Sequence, residues 1–138
     1  MITIIDTSVA VKWFLEEEGN DQALRVLDAV KSSPRLFAVP ELFFNEMLSV
    51  LCRLLKEAKI IKDYVGALED LGLARLGNGQ DTLDLAVDFA KEFQISGYDA
   101  IYAANAKLVG GTWLTADKTA HRKIKKMRIS SLLGEWNG

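Results

Sequence analysis

Carboxylates at four places in this chain have the residue type and the surroundings of a metal site. Two of them follow short apolar segments, and a third lies inside the apolar run ELFFNEMLSVL. The four acids are Asp6, Glu46, Asp99 and Asp117. A carboxylate on a largely apolar helical flank, as at Glu46, is costly to bury unless a partner accompanies it. Because Mg²⁺ and Mn²⁺ prefer oxygen ligands, the four acids predict a site for one of these ions.

Each acid also has a simpler interpretation. Asp6 and Asp117 stand where helices are predicted to begin, and Asp there commonly caps the helix. Asp99 follows Ser96 by three residues, which is the spacing of a capping pair. Glu46 could lie at a helix boundary and reach solvent. Capping and metal binding are compatible, so the sequence leaves both interpretations open.

Other kinds of chemistry lack the residues that they need. Cys52 is the only cysteine, which excludes a disulfide framework and a cysteine zinc cage, and we expect it to be buried in a helix. His121 is the only histidine, which argues against zinc and against a Ser-His-Asp hydrolase. A phosphatase of the haloacid-dehalogenase kind needs a second acid two residues after the first, where this chain has Ser8. No glycine-rich phosphate loop is present.

The chain has 138 residues, of which 49% are apolar and 26% are charged, as is typical of one soluble globular domain. We therefore expect residues 1–138 to form a single domain. The formal charge of −2 means that any surface for nucleic acid must be local. Residues 118–128 hold six lysines and arginines and no acid, directly after Asp117. They predict an RNA-binding surface, although a plain solvated helix face is the alternative. The predicted contacts are Lys118, Arg122, Lys123, Lys125 and Lys126.

Short apolar strands alternate with helices along the chain, which predicts an α/β fold with a mostly parallel sheet covered on both faces. Strands are predicted at residues 2–5, 36–39, 112–114 and near 128–131, with a loop or short strand around Leu76. Pro40 is expected in the first turn of a helix over residues 41–56. Ligands bind beyond the carboxyl ends of parallel strands, which is where Asp6 and Asp117 are placed.

The first residues, MITIIDTSVAV, have no positively charged n-region, and their apolar run is far too short to cross a bilayer. We expect a cytoplasmic protein without a membrane partner. The aromatic residues of two helices exceed what packing alone needs, which predicts a homodimer or partner surface, with at least two of them in the core. They are Trp13, Phe14, Phe43 and Phe44.

Three segments resemble the PIN-domain family, in particular the VapC-like toxins of prokaryotic toxin–antitoxin pairs. The segments are IIDTSVAVKWFL, VPELFFNEMLSVL and GYDAIYAANAKLVGGTWLTADK, and together they span essentially the whole chain. The resemblance implies a PIN-like sheet of about five strands, with the four acids at its carboxyl edge as metal-binding and catalytic residues. It also implies supporting hydroxyls, with Thr7 or Ser8 beside Asp6 and Thr115 near Asp117.

The function that this resemblance implies is a Mg²⁺- or Mn²⁺-dependent endoribonuclease, with RNA as substrate and a small antitoxin protein as partner. In this interpretation Asp6, Asp99 and Asp117 hold metal, while Glu46 binds metal or orients the attacking water. Two alternatives stay open. One is a free-standing PIN nuclease in RNA processing, and the other is a non-catalytic PIN module that binds RNA or a protein.

Overall fold

A computed structural model describes all 138 residues. Its five strands are β1 (Thr3–Ile5), β2 (Phe37–Pro40), β3 (Ala74–Leu76), β4 (Thr112–Thr115) and β5 (Ser130–Leu132). Its seven helices are α1 (Thr7–Ala10), α2 (Asn20–Ser32), α3 (Leu42–Leu54), α4 (Ala58–Asp70), α5 (Gln80–Phe93), α6 (Gly97–Val109) and α7 (Lys118–Ile124). Short 3-10 turns follow α1 and α7, precede β2 and follow β5.

The sheet is wholly parallel, with the strand order β3-β2-β1-β4-β5. From β1 the chain moves outward through β2 to β3, and it then returns to the other side of β1 for β4 and β5. The direction of strand addition therefore reverses between β1 and β4, which pair with Ile4 opposite Trp113. The predicted α/β fold is confirmed. In open sheets of this kind, ligands bind in the crevice at the carboxyl ends of the strands beside such a reversal.

Small residues let α6 lie close over the middle of the sheet, where it packs on β4, β1 and β2. The alanines of its inner face are fully buried: Ala100, Ala103, Ala104 and Ala106. After α6, Gly111 passes so near β1 that an added Cβ would lie 2.1 Å from the backbone oxygen of Ile2. Only glycine fits that approach. The position of α6, and of the acid near its start, follows from this close packing.

Two local predictions are wrong. Pro40 is the last residue of β2, and α3 begins only at Leu42. The next backbone donor toward β3 is the N–H of Glu41, which bonds to the Leu76 oxygen at 3.0 Å, so proline is tolerated at the end of this strand. Cys52 is exposed, because the buried residues of α3 are Phe43, Met47 and Leu51 and it lies off that face.

The four aromatic residues singled out from the sequence all pack against the core. Phe43 is fully buried, and the other three are partly buried. Trp13 donates its Nε1–H to the backbone oxygen of Ala23 at 2.8 Å, and Phe14 stacks on Tyr64 at 4.6 Å between ring centroids. None of the helices combines the length and the apolar character needed to cross a bilayer.

Candidate metal centre

All four acids lie at the carboxyl edge of the sheet, around the reversal between β1 and β4. Asp6 directly follows β1, and Asp117 follows β4 after one intervening residue. Glu46 lies early in α3, which leaves β2 at the same edge. Asp99 is in the first turn of α6. This helix ends just before β4 starts at the opposite edge of the sheet, so its first turn lies at the same edge as the other acids. Parallel strands thus bring together acids from distant parts of the sequence.

Asp6 is nearly enclosed, with 5% of its surface exposed. Its Oδ2 accepts hydrogen bonds from Ser8 Oγ at 2.7 Å and from Thr115 Oγ1 at 2.6 Å. Burial raises the pKa of Asp6 to about 6, the two hydroxyls oppose that rise, and the charge of Glu46 adds to it. Although Asp6 stands at the N-cap position of α1, its side chain makes no capping hydrogen bond. Capping therefore does not explain this aspartate.

Glu46 is half-buried and belongs to a triangle of three oxygens. Its Oε1 accepts from Tyr102 Oη at 2.8 Å and from Thr7 Oγ1 at 3.2 Å, and the two hydroxyls lie 2.9 Å apart. Burial raises the pKa of Glu46, its two hydroxyl partners lower it, and the charge of Asp99 raises it. Glu46 is thus bound within the protein, and it does not simply extend into solvent.

Asp99 is half-buried in the first turn of α6. Its backbone N–H donates to Ser96 Oγ at 3.0 Å, so Ser96 caps the helix, and the Ser96 hydroxyl in turn lowers the pKa of the Asp99 carboxyl as a hydrogen-bond partner. Burial raises the pKa of Asp99 to about 6, and the charges of Asp6 and Asp117 contribute to the rise, whereas Lys123 lowers it. These effects show that Asp99 lies within electrostatic reach of the other acids.

Asp117 is exposed and caps α7, since its Oδ1 accepts from the backbone N–H of Ala120 at 3.0 Å. Its own N–H donates to Thr115 Oγ1 at 3.0 Å. The capping interpretation therefore holds for Asp117. It uses only one carboxylate oxygen, so it does not conflict with metal binding.

The donor set fits a hard cation. In three of the acids the protein occupies one carboxylate oxygen and leaves the other free of side-chain hydroxyl or capping partners: Asp6 Oδ1, Glu46 Oε2 and Asp117 Oδ2. No three His, Cys, Asp or Glu side chains stand close enough to one another to hold one ion. An open cleft of this kind suits Mg²⁺, which keeps several waters and uses few protein ligands.

The supporting hydroxyls divide between two acids. Ser8 and Thr115 contact Asp6, while Thr7 contacts Glu46. Tyr102 was not anticipated from the sequence. The available signal was its position three residues after Asp99, which places it one turn along the same helix.

The predicted basic residues lie beside the acids to differing degrees. Lys123 Nζ donates to the Gln94 backbone oxygen at 3.0 Å, and its charge reaches Asp99. Lys126 Nζ lies 5.3 Å from the ring centroid of Phe93. Lys118 follows Asp117 directly, and the remaining two, Arg122 and Lys125, are exposed on and just after α7. Of these residues, Lys123 is the one whose charge reaches an acid of the site, and Lys118 is the neighbour of Asp117 in the sequence.

The fold recurs in solved structures at low sequence identity. A toxin–antitoxin complex from Klebsiella pneumoniae gives a TM-score of 0.71 at 16% identity, over 95% of this chain and 97% of the other. FitAcB from Neisseria gonorrhoeae gives 0.73 at 16%, over 98% and 100%. VapBC2 from Rickettsia felis, bound to a DNA fragment from its promoter, gives 0.71 at 14%, over 99% and 100%.

No curated protein matches the chain significantly. The sequence profile of the PIN domain family, in contrast, matches residues 3–126, which is nearly the whole chain. The order of the strands, the acids at their carboxyl edge and this match agree with one another. The chain belongs to the PIN domain family.

Proposed function

We propose that this protein is a Mg²⁺- or Mn²⁺-dependent endoribonuclease that hydrolyses RNA phosphodiester bonds in the cleft between its four acids. The observation that carries the proposal is the arrangement of these acids at the strand reversal. There the protein's own hydrogen bonds hold one oxygen of Asp6, Glu46 and Asp117 and leave the other without a side-chain hydroxyl or capping partner.

The raised pKa values of Asp6 and Asp99 support a cation site. Burial and the charges of neighbouring acids both disfavour the ionised carboxylates, and a bound cation would offset both effects. Asp6, Asp99 and Asp117 would hold the ion either directly or through its bound waters, since no three acids stand close enough to bind it directly, and Glu46 would bind it or accept a proton from water. When bound, the ion supplies Lewis-acid polarisation of the phosphodiester and acidifies a water molecule. The protein contributes a fixed set of carboxylates and a partly buried cleft.

Local charge and shape favour RNA as the substrate. Lys118 and Lys123 flank the acids on one side and can neutralise phosphates of a bound strand. Cavities adjoin the acids on both sides: one of about 290 Å³ is lined by Glu46 and Tyr98, and one of about 420 Å³ is lined by Lys118 and Lys12. We propose that a single strand runs past the acids from one cavity to the other.

We further propose that the protein is the toxin of a toxin–antitoxin pair, with a small antitoxin protein as its partner. Support comes from the three solved structures described above, of which one is a toxin–antitoxin complex and another is bound to promoter DNA. The homodimer stays a prediction. The aromatic residues on which that prediction depends pack against the core. The exposed side chains of Leu83 and Val87 on α5 and of Tyr98 on α6 are therefore better candidates for such a contact.

Cleavage of single-stranded RNA by the purified protein tests the proposal. Cleavage should require Mg²⁺ or Mn²⁺, stop in EDTA and return when Mg²⁺ is restored in excess. The Asp99→Asn variant, purified in the same way, serves as a control for contaminating nucleases and should be inactive. Undiminished cleavage in excess EDTA, or equal cleavage by the variant, would contradict the proposed mechanism. Binding of RNA without cleavage would favour the non-catalytic PIN module.

A further inference from the structure

The triangle of Thr7, Glu46 and Tyr102 joins three separate parts of the chain around the acids. Thr7 is the first residue of α1 and follows Asp6 directly, Glu46 is itself an acid of α3, and Tyr102 lies one turn beyond Asp99 on α6. Each corner thus belongs to an element that carries one of the acids. A change in one contact would alter the relative positions of three of them.

The triangle has a definite donor pattern. A phenol and a threonine hydroxyl each have one proton at neutral pH, and a carboxylate has none. Tyr102 donates to Glu46 Oε1 at 2.8 Å, so Thr7 can donate either to the same oxygen at 3.2 Å or to Tyr102 Oη at 2.9 Å. In both cases Oε1 is held and Oε2 is left for another partner.

Tyr102 is held rigidly enough to orient a neighbour. It is fully buried, and its ring stacks on Trp113 of β4 at 6.1 Å with an angle of 18° between the ring planes. The position of the Tyr102 hydroxyl is therefore nearly fixed, and the Glu46 side chain must orient toward it to form the hydrogen bond. A hydrogen bond from a buried phenol to a carboxylate is also stronger than one between neutral groups.

We propose that Tyr102 is a positioning residue of the metal centre, which holds Glu46 Oε1 and so leaves Oε2 available to the ion or its water when the ion is bound. This inference rests on the proposed function. Thr7 completes the contact and couples the position of Glu46 to that of Asp6. Because Tyr102 is fully buried and its hydroxyl contacts Glu46 and Thr7, it would act through Glu46 and not on the ion or substrate directly. Partners of this kind around metal ligands contribute roughly 10-fold to 100-fold in metal affinity or activity.

The test measures Mn²⁺ affinity by electron paramagnetic resonance in a double-mutant cycle. Tyr102→Phe should weaken Mn²⁺ binding by roughly 10-fold or more. Glu46→Ala should also weaken it, and adding Tyr102→Phe to Glu46→Ala should cause no further loss, because the carboxylate through which Tyr102 acts is gone. Tyr64→Phe is the matched control, since Tyr64 is a partly buried tyrosine that stacks on Phe14, and it should bind Mn²⁺ as the wild type does.

Equal losses from Tyr102→Phe in the presence and absence of Glu46 would overturn the inference, and so would unchanged affinity. Failure of the wild type to bind Mn²⁺ would instead contradict the proposed function itself, and the inference with it. If Tyr102→Phe does not fold, Thr7→Val and Thr7→Ser test the same triangle. Val has a similar shape without the hydroxyl and should weaken Mn²⁺ binding, whereas Ser keeps the hydroxyl and should not. Equal affinity of these two variants would also overturn the inference.

Discussion

The inner acids of the cleft, Asp6 and Glu46, and the outer acids, Asp99 and Asp117, are held in different ways. Each inner acid has one oxygen bound by two side-chain hydroxyls, at least one of which comes from a distant part of the chain. The outer acids stand at the starts of α6 and α7, where the contacts are with residues of the same helix end. The inner pair depends on the tertiary fold, and the outer pair depends mainly on local helix geometry.

This difference separates two contributions to the site. The inner acids are expected to fix its position and to be destabilising while no ion is bound, because burial penalises their charge. Of the outer acids, Asp117 is expected to add a charge and a ligand at little expense to folding, because it is exposed and a helix N-terminus favours a carboxylate, whereas burial also penalises the charge of Asp99. Substitutions in the two pairs should therefore change activity and stability in different proportions.

The largest effect is expected at Asp6. Because metal binding stabilises the transition state by several kcal/mol and each 1.36 kcal/mol is tenfold in rate, Asp6→Asn should lower RNA cleavage by about 1,000-fold. Asp28→Asn, a substitution of an exposed aspartate on α2, should leave the rate unchanged. Initial rates at saturating Mg²⁺ measure both. A loss of less than tenfold in Asp6→Asn would show that the inner pair does not govern the chemistry.

The stability of the metal-free protein should depend on pH through the same residue. The pKa of Asp6 rises from 3.8 to about 6 on folding, so the native state binds more protons than the unfolded state between these values. Its contribution therefore makes the free energy of unfolding fall as pH increases from 4 to 7, by about 2.4 kcal/mol. Asp99 acts in the same direction. Urea unfolding in EDTA at several pH values should show a weaker dependence in Asp6→Asn. An equal pH dependence of the free energy of unfolding in the wild type and in Asp6→Asn would contradict this prediction.

Among the outer acids, Asp99→Asn should keep the fold, because the backbone N–H that bonds to Ser96 is unchanged. Metal-free stability should hold or rise, since one charge of the cluster is removed. At ten times the dissociation constant, Mg²⁺ should stabilise the wild type by about 1.4 kcal/mol, and this gain should shrink in the variant. Melting curves with and without Mg²⁺ measure it. Identical Mg²⁺-dependent shifts would show that Asp99 is not a ligand.

At Asp117, two substitutions can separate the capping of α7 from the charge of the carboxylate. Asn caps a helix about as well as Asp, whereas Ala does not, so Asp117→Ala should lose about 1 kcal/mol of metal-free stability and Asp117→Asn should not. Both variants should lose the same part of the Mg²⁺ stabilisation, because both lack the carboxylate. If only Asp117→Ala loses it, the residue serves α7 as a cap and not the ion as a ligand.

The smallest effect is expected at Lys123, which lies beside the outer acids. Lys123→Gln should make the slope of log affinity for single-stranded RNA against log salt shallower by about 0.7, since one fewer phosphate is neutralised. Lys31→Gln is the control, because α2 ends near the amino end of β2, at the opposite edge of the sheet. Nitrocellulose filter binding in EDTA measures the slopes. Equal slopes for wild type and Lys123→Gln would place the RNA elsewhere.

Most of the fold could be predicted from local sequence patterns. The β-branched segment before Asp6 and the apolar periodicity of α2 each bury a face of the expected kind, and the parallel α/β class follows from their alternation. Pro40 was placed wrongly because proline suits both the first turn of a helix and the end of a strand. Cys52 was placed wrongly because a run of apolar letters does not show which helix face meets the core.

Local sequence is enough to show which carboxylates are present, which follow strands and which begin helices, since these depend on neighbours along the chain. The contacts of Thr115 with Asp6, and of Tyr102 and Thr7 with Glu46, come instead from the tertiary fold. Such contacts join residues far apart in sequence. Their geometry is set by the order of the strands and by the close packing of α6, so no local pattern of residues encodes them.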